Sequence, residues 1–154
     1  MVDAHHAAAV AGLRGLCSFF IAGVDTSRVP QNIDVDSLHA VVGLEMRRSG
    51  ITVVEKDSND ARVGRVYVSL FTQPVTSESV PTDAYAFTVR TAVRRWVRNA
   101  TRDNALVPVT AWQRDFVGYA PNRVSLRLLA TEAIGDGAQA LANALRTTAT
   151  AWPP

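Results

Sequence analysis

Residues 84–98 read AYAFTVRTAVRRWVR. Tyr85, Phe87, Val89, Thr91 and Val93 fall on one side of a period-two pattern, and Thr88, Arg90, Arg94, Trp96 and Arg98 on the other. Strict alternation of this kind is the mark of a strand with one face toward a core and one toward water. The polar turn NATRDN follows at 99–104, and ALVPVTAWQRDF at 105–116 reads as the returning partner of a hairpin. Pro108 inside that partner has no N–H to give a ladder, so it points to an edge position or a bulge.

Working toward the N-terminus, RVYVSLF at 65–71 alternates again, with Val66, Val68 and Leu70 opposite Tyr67, Ser69 and Phe71. Residues 72–83 carry Pro74 and Pro81 and read as a loop. The short β-branched segment ITVVE at 51–55 is a further strand. Before it, Val35, Leu38, Val42 and Met46 recur at helical spacing. Asp34 or Asp36 caps that helix, Arg47 and Arg48 suit its C-terminal dipole, and Gly50 stops it. LRGLCSFFIAGV at 13–24 is apolar on both faces, as a strand flanked on both sides would be. Cys17, the single cysteine, is expected to be buried there.

Toward the C-terminus, Pro121 and Asn122 start the last element. Ile134, Ala138, Leu141 and Leu145 have helical spacing. Residues 123–129 fit either helix or strand, and Gly135 and Gly137 predict a late start or a kink.

The order is β-α-β-β-β-β-α. It predicts an α+β two-layer sandwich: a four- to five-stranded, mostly antiparallel sheet with two helices on one face. The first two strands are expected to be parallel, joined by a right-handed crossover. Residues 1–12 read as a lead-in holding His5 and His6, 13–148 as one domain and 149–154 as a tail.

The chain has 154 residues, 47% hydrophobic and 19% charged, enough to bury roughly 70% of its unfolded surface without disulfides. A single cysteine excludes an internal disulfide, and no run of about 18 apolar residues predicts a membrane span. Lys56 is the only lysine among 16 cationic residues, and the net charge is +2. That modest charge does not itself argue for nucleic acid. No nucleophile elbow, dinucleotide loop, phosphate loop or paired-cysteine motif is present. His39 has no metal ligands at suitable spacing, and Asp34, Asp36, Asp57 and Asp60 read as cap and turn residues. The sequence therefore points to no cofactor, no metal and no catalytic residue.

The one concentrated feature is the run Arg90, Arg94, Arg95, Arg98 and Arg102. Arg90, Arg94, Trp96 and Arg98, with Trp112 and Arg114 of the returning strand, are the candidate interaction residues. Arginine with aromatics suits a protein interface or a phosphate- and base-stacking surface. The plainer alternative is a solvated sheet face with Asp115 pairing across strands. Among binding roles a protein partner or a homo-oligomer ranks first, after the solvated face. Anionic-ligand or nucleic-acid binding through Arg90–Arg102 is an alternative, with nucleic acid disfavoured. A small hydrolase-type enzyme is the remaining one.

LRGL at 13–16, EMRRSGITVVE at 45–55, RVYVSLF, AYAFTVRTAVRRWV and TAW at 110–112 together resemble a group of small uncharacterised bacterial domains described as hypothetical exported proteins. The order of elements is also similar to periplasmic accessory domains of the curli-secretion and penicillin-binding-protein-activator kind. The resemblance implies an exported α/β sandwich acting by protein contact, with no catalytic residues to carry over. It implies a periplasmic or secreted location if a signal peptide has been removed, and otherwise a cytoplasmic one. Gly135-Asp136-Gly137 departs from the unbroken final helix of that group.

Overall fold

A computed structural model describes residues 11–26 and 33–151. The expected lead-in with its histidine pair, up to residue 10, and residues 152–154 of the expected tail lie outside the described residues. After a 3-10 turn at Ala11–Leu13 come β1 (Ser18–Asp25), α1 (Val35–Arg48), β2 (Val53–Val54), β3 (Val63–Ser77), β4 (Val80–Asn99), β5 (Ala105–Ala120) and α2 (Arg123–Ala151). The five strands form one sheet in the order β2-β1-β3-β4-β5. β1 runs parallel to both β2 and β3, whereas β3–β4 and β4–β5 are antiparallel. The fold is an α+β sandwich with the element order read from the sequence.

α1 forms where its caps say it should. The Asp34 carboxylate accepts the Asp36 N–H at 3.2 Å. At the other end Gly50, with φ +83°, lets its own N–H reach the Arg47 carbonyl and the Ile51 N–H reach Met46, both at 3.0 Å. Ile51 and Met46 are both buried, the hydrophobic contact that accompanies this helix stop. Leu38, Val42 and Met46 face the sheet, while Val35 is left exposed.

Three expectations are corrected. The 13–24 run is a 3-10 turn with Leu13 buried, then a left-handed Gly15, and only then the strand. Cys17 precedes that strand and is exposed, its thiol 3.7 Å from the Arg62 carbonyl. Residues 72–83 are a long two-stranded extension, closed by Glu78 and Ser79 in left-handed backbone conformations. Pro74 sits where the β3–β4 register shifts, which is why the ladder tolerates it. The segment 123–129, which the sequence left open between helix and strand, is helix, started by Asn122, whose side chain accepts the Ser125 N–H at 2.8 Å. Val124 and Leu128 are solvent-facing and Leu126 is buried, so their apparent alternation is one helical turn seen in projection.

α2 runs through both glycines. Gly137 lies so close to β4 that a Cβ there would overlap the Thr91 hydroxyl, and a Cβ on Gly135 would meet the Glu45 carboxylate of α1. Gly137 is a contact point between helix and sheet and Gly135 one between the two helices, and the helical propensity they cost is offset by close approach. Ala130, Ala133, Ala138 and Ala142 continue the same small-residue face. Between the layers lie Phe19, Val66, Leu70, Val89 and Val93 from the sheet, with Leu126 and Leu141 from α2, all almost fully buried.

Candidate functional site: the open face of the sheet

Both helices pack on one face of the sheet, and no described element covers the other. Register decides what that open face presents. Arg65 of β3 stands opposite Arg94 of β4, Ser69 opposite Arg90, and Phe71 opposite Thr88. Two like charges facing each other would repel, but each guanidinium is drawn diagonally onto a ring. Arg94 lies over Tyr67 at 5.0 Å and Arg90 over Phe71 at 5.9 Å. Arg65 lies 5.7 Å from the Tyr67 ring and 5.6 Å from that of Trp96.

The charges differ in how far they are compensated. Arg90 makes two hydrogen bonds to Asp115 of β5, at 2.9 and 3.1 Å, which raises its pKa further above the ordinary value. This is the cross-strand pair expected from the sequence. Arg65 pairs with Asp57 at 3.0 Å and is largely buried. Arg94 is exposed and has no carboxylate within ion-pair range among the described residues. Arg98 reaches the Asn104 carbonyl at 3.1 Å, across its own hairpin turn.

Arg95 has a different task. Its guanidinium donates to the carbonyls of Gly12 at 2.9 Å, Arg14 at 2.7 Å and Ala61 at 3.0 Å. Burial lowers its pKa. It ties the 3-10 turn and the segment before β3 to the sheet, so it is a structural cation and no part of an open binding surface.

The six sequence-chosen residues therefore divide. Arg90, Arg94 and Trp96 share the open face, and Arg98 lies at the hairpin end of the same strand. Trp112 pairs with Val93 and is buried on the helix side, and Arg114 pairs with Thr91 on that side as well. Toward the far end the open face becomes apolar: Phe71 is 41% exposed, Val117 79% and Tyr119 59%. A shallow hollow of about 900 Å³ lies over Phe71, Ala86, Thr88 and Val117. Sequence reasoning missed Arg65, Tyr67 and Phe71 as members of this surface. Their alternation in RVYVSLF was visible, but only the register brings them beside Arg94, Trp96 and Arg90.

Among the described residues no group of three or more His, Cys, Asp or Glu could hold a metal ion, and no helix is long and apolar enough to cross a membrane. No family model matches the chain, and no curated protein matches it. Solved structures do. A minor lipoprotein of Acinetobacter baumannii is 13% identical, with 89% of this chain and 97% of that chain covered and a TM-score of 0.42. A Xanthomonas campestris protein of the DUF330 family is 12% identical, with 88% and 87% covered and a TM-score of 0.47. A PelC dodecamer from Paraburkholderia phytofirmans is 11% identical, with 82% and 86% covered and a TM-score of 0.41.

Proposed function

We propose that the chain is a non-enzymatic accessory domain of the bacterial envelope that binds a protein partner through the open face of its sheet. The observation that carries this reading is Arg94: an exposed guanidinium held over Tyr67, with no carboxylate among the described residues to neutralise it. Around it the face combines arginine, tyrosine and tryptophan and runs into the exposed Phe71, Val117 and Tyr119. Arginine and aromatics are the residues enriched where interfaces concentrate their energy. These exposed apolar residues beside the arginines support a contact role for the face. The envelope setting belongs to the same proposal and rests on the sequence resemblance.

The geometry weighs against a phosphate-tracking role for Arg90–Arg102. Asp115 occupies Arg90, three backbone carbonyls occupy Arg95, and the Asn104 carbonyl occupies Arg98. Nucleic-acid affinity grows with the number of phosphates neutralised, and a track needs its cations free.

Affinity capture from an extract of the source organism tests the proposal, comparing the natural chain with an Arg94→Glu, Trp96→Ala double variant. Loss of a partner recovered by the natural chain supports the open face. Equal recovery by both removes it. Light scattering on the purified chain separates a foreign partner from a second copy.

A further inference from the structure

The outer side of β5 is a second free surface, distinct from the open face. β5 is the last strand of the sheet, and among the described residues no strand pairs with its outer edge. Such an edge presents a row of unsatisfied N–H and C=O groups, which proteins normally blunt. The first half of β5 is blunted. Pro108 has no N–H, Ala111 is the extra residue where the register shifts from Trp112 to Thr110, and Gly12 is pressed against the Ala111 carbonyl. From Trp112 to Ala120 the pairing with β4 is regular and none of these devices is present.

Beside that second half runs α2, and a cleft of about 480 Å³ lies between them. Trp112, Arg114 and Phe116 line the strand side, and Asp136, Gln139 and Asn143 line the helix side. Trp112 to Phe116 spans about 14 Å of strand, and Asp136 to Thr147 about 16 Å of helix. Four or five residues of extended chain fit that length. A strand edge beside a helix is one geometry in which a peptide is bound by strand addition, main-chain bonds giving affinity and alternate side chains giving choice.

Charge indicates what enters. β5 carries two charged residues. Asp115 is on the open face and engaged by Arg90, whereas Arg114 is on the cleft side, exposed, 5.5 Å over the Phe116 ring. Among the described residues no carboxylate is within ion-pair range of Arg114; Asp136 lies on the opposite wall of the cleft. A second copy of β5 would bring Arg114 again on the cleft side, its Asp115 lying on the open face and engaged by Arg90, and β2, the other edge strand, is only two residues long. We propose that β5 and α2 form a strand-addition site for an extended acidic peptide segment of another protein, pairing along Trp112–Phe116 with a carboxylate at Arg114.

Panning a phage-displayed library of random dodecapeptides on the full chain tests this. The enriched peptides should share an Asp or Glu flanked by β-branched or aromatic residues. When synthesised, they should lose at least about tenfold in affinity on N-methylation at alternate positions or with Arg114→Glu. Arg94→Glu, on the open face, should leave their binding unchanged. Absence of enrichment overturns the proposal, as does binding that survives every N-methylation or survives Arg114→Glu. Loss with Arg94→Glu in place of Arg114→Glu moves the site to the open face. A dimer that forms through β5 and excludes the peptides assigns the edge to a second copy and also overturns it.

Discussion

Gly137 of α2 sits directly over Thr91 of β4, with no room between them for a methyl group. The Thr91 hydroxyl is buried beneath it without a hydrogen-bond partner. The contact explains why a glycine stands in the middle of a 29-residue helix, and it fixes how closely the helix approaches the sheet.

Gly137→Ala is therefore expected to destabilise the fold by roughly 1–3 kcal/mol, against the gain of about 1 kcal/mol that alanine brings to an unconstrained helix. Thr91→Ala clears the space. In the double variant most of the loss should return, a coupling that denaturant unfolding of the four proteins in the cycle would measure. Simple additivity would show that the helix relaxes away from the sheet.

Arg95 holds three carbonyls with one planar fork. Arg95→Ala should cost roughly 1–3 kcal/mol, since the carbonyls lose charge-assisted bonds. Arg95→Lys should recover only part of that, because an ammonium cannot match the fork. Hydrogen exchange should show the loss first in the segments around Gly12 and Ala61.

Asp60 accepts the Arg62 backbone N–H at 2.9 Å and its guanidinium at 3.0 and 3.2 Å. The Arg62 side-chain bonds, first, and the backbone bond hold its pKa at about 2, below the ordinary 3.8. A depressed carboxyl pKa favours the folded turn above the unfolded value, and that contribution fades as pH falls from about 4 toward 2. A carbon-detected NMR titration should place the Asp60 midpoint near 2 and return it toward the ordinary value in Arg62→Ala. An ordinary midpoint in the natural chain would remove the turn's pH dependence.

Cys17 is exposed. Its alkylation by iodoacetamide in native buffer should proceed within about tenfold of the rate in denaturant. Strong protection would restore the buried thiol that the apolar run around it suggested.

The architecture was legible because α1 carries both caps, and because RVYVSLF and AYAFTVR alternate cleanly. Three features were not. The β3–β4 turn uses Glu78 and Ser79 in conformations usually taken by Gly or Asn, so nothing local announced a hairpin. Gly135 and Gly137 read as breakers because the surfaces they meet, Glu45 and Thr91, are distant in sequence. Cys17 read as core because a both-sided apolar run does not reveal where the strand starts. At the candidate site the cations of β4 were visible, but the rings that hold them come from β3. Trp112 and Arg114 belong to the returning strand of the same hairpin, but strand parity places them on the other face.

On the proposed reading the open face of the sheet meets a protein partner. Site-specific photocrosslinking in the source organism tests it most directly, with benzoylphenylalanine placed in turn at Tyr67, Arg94 and Val117 and, as controls, at the exposed helix positions His39 and Glu132. One discrete crosslinked partner, shared by the three sheet positions and absent from both controls, is the expected result. Crosslinks confined to the helix positions, or none at the sheet positions with the folded protein present, would contradict it.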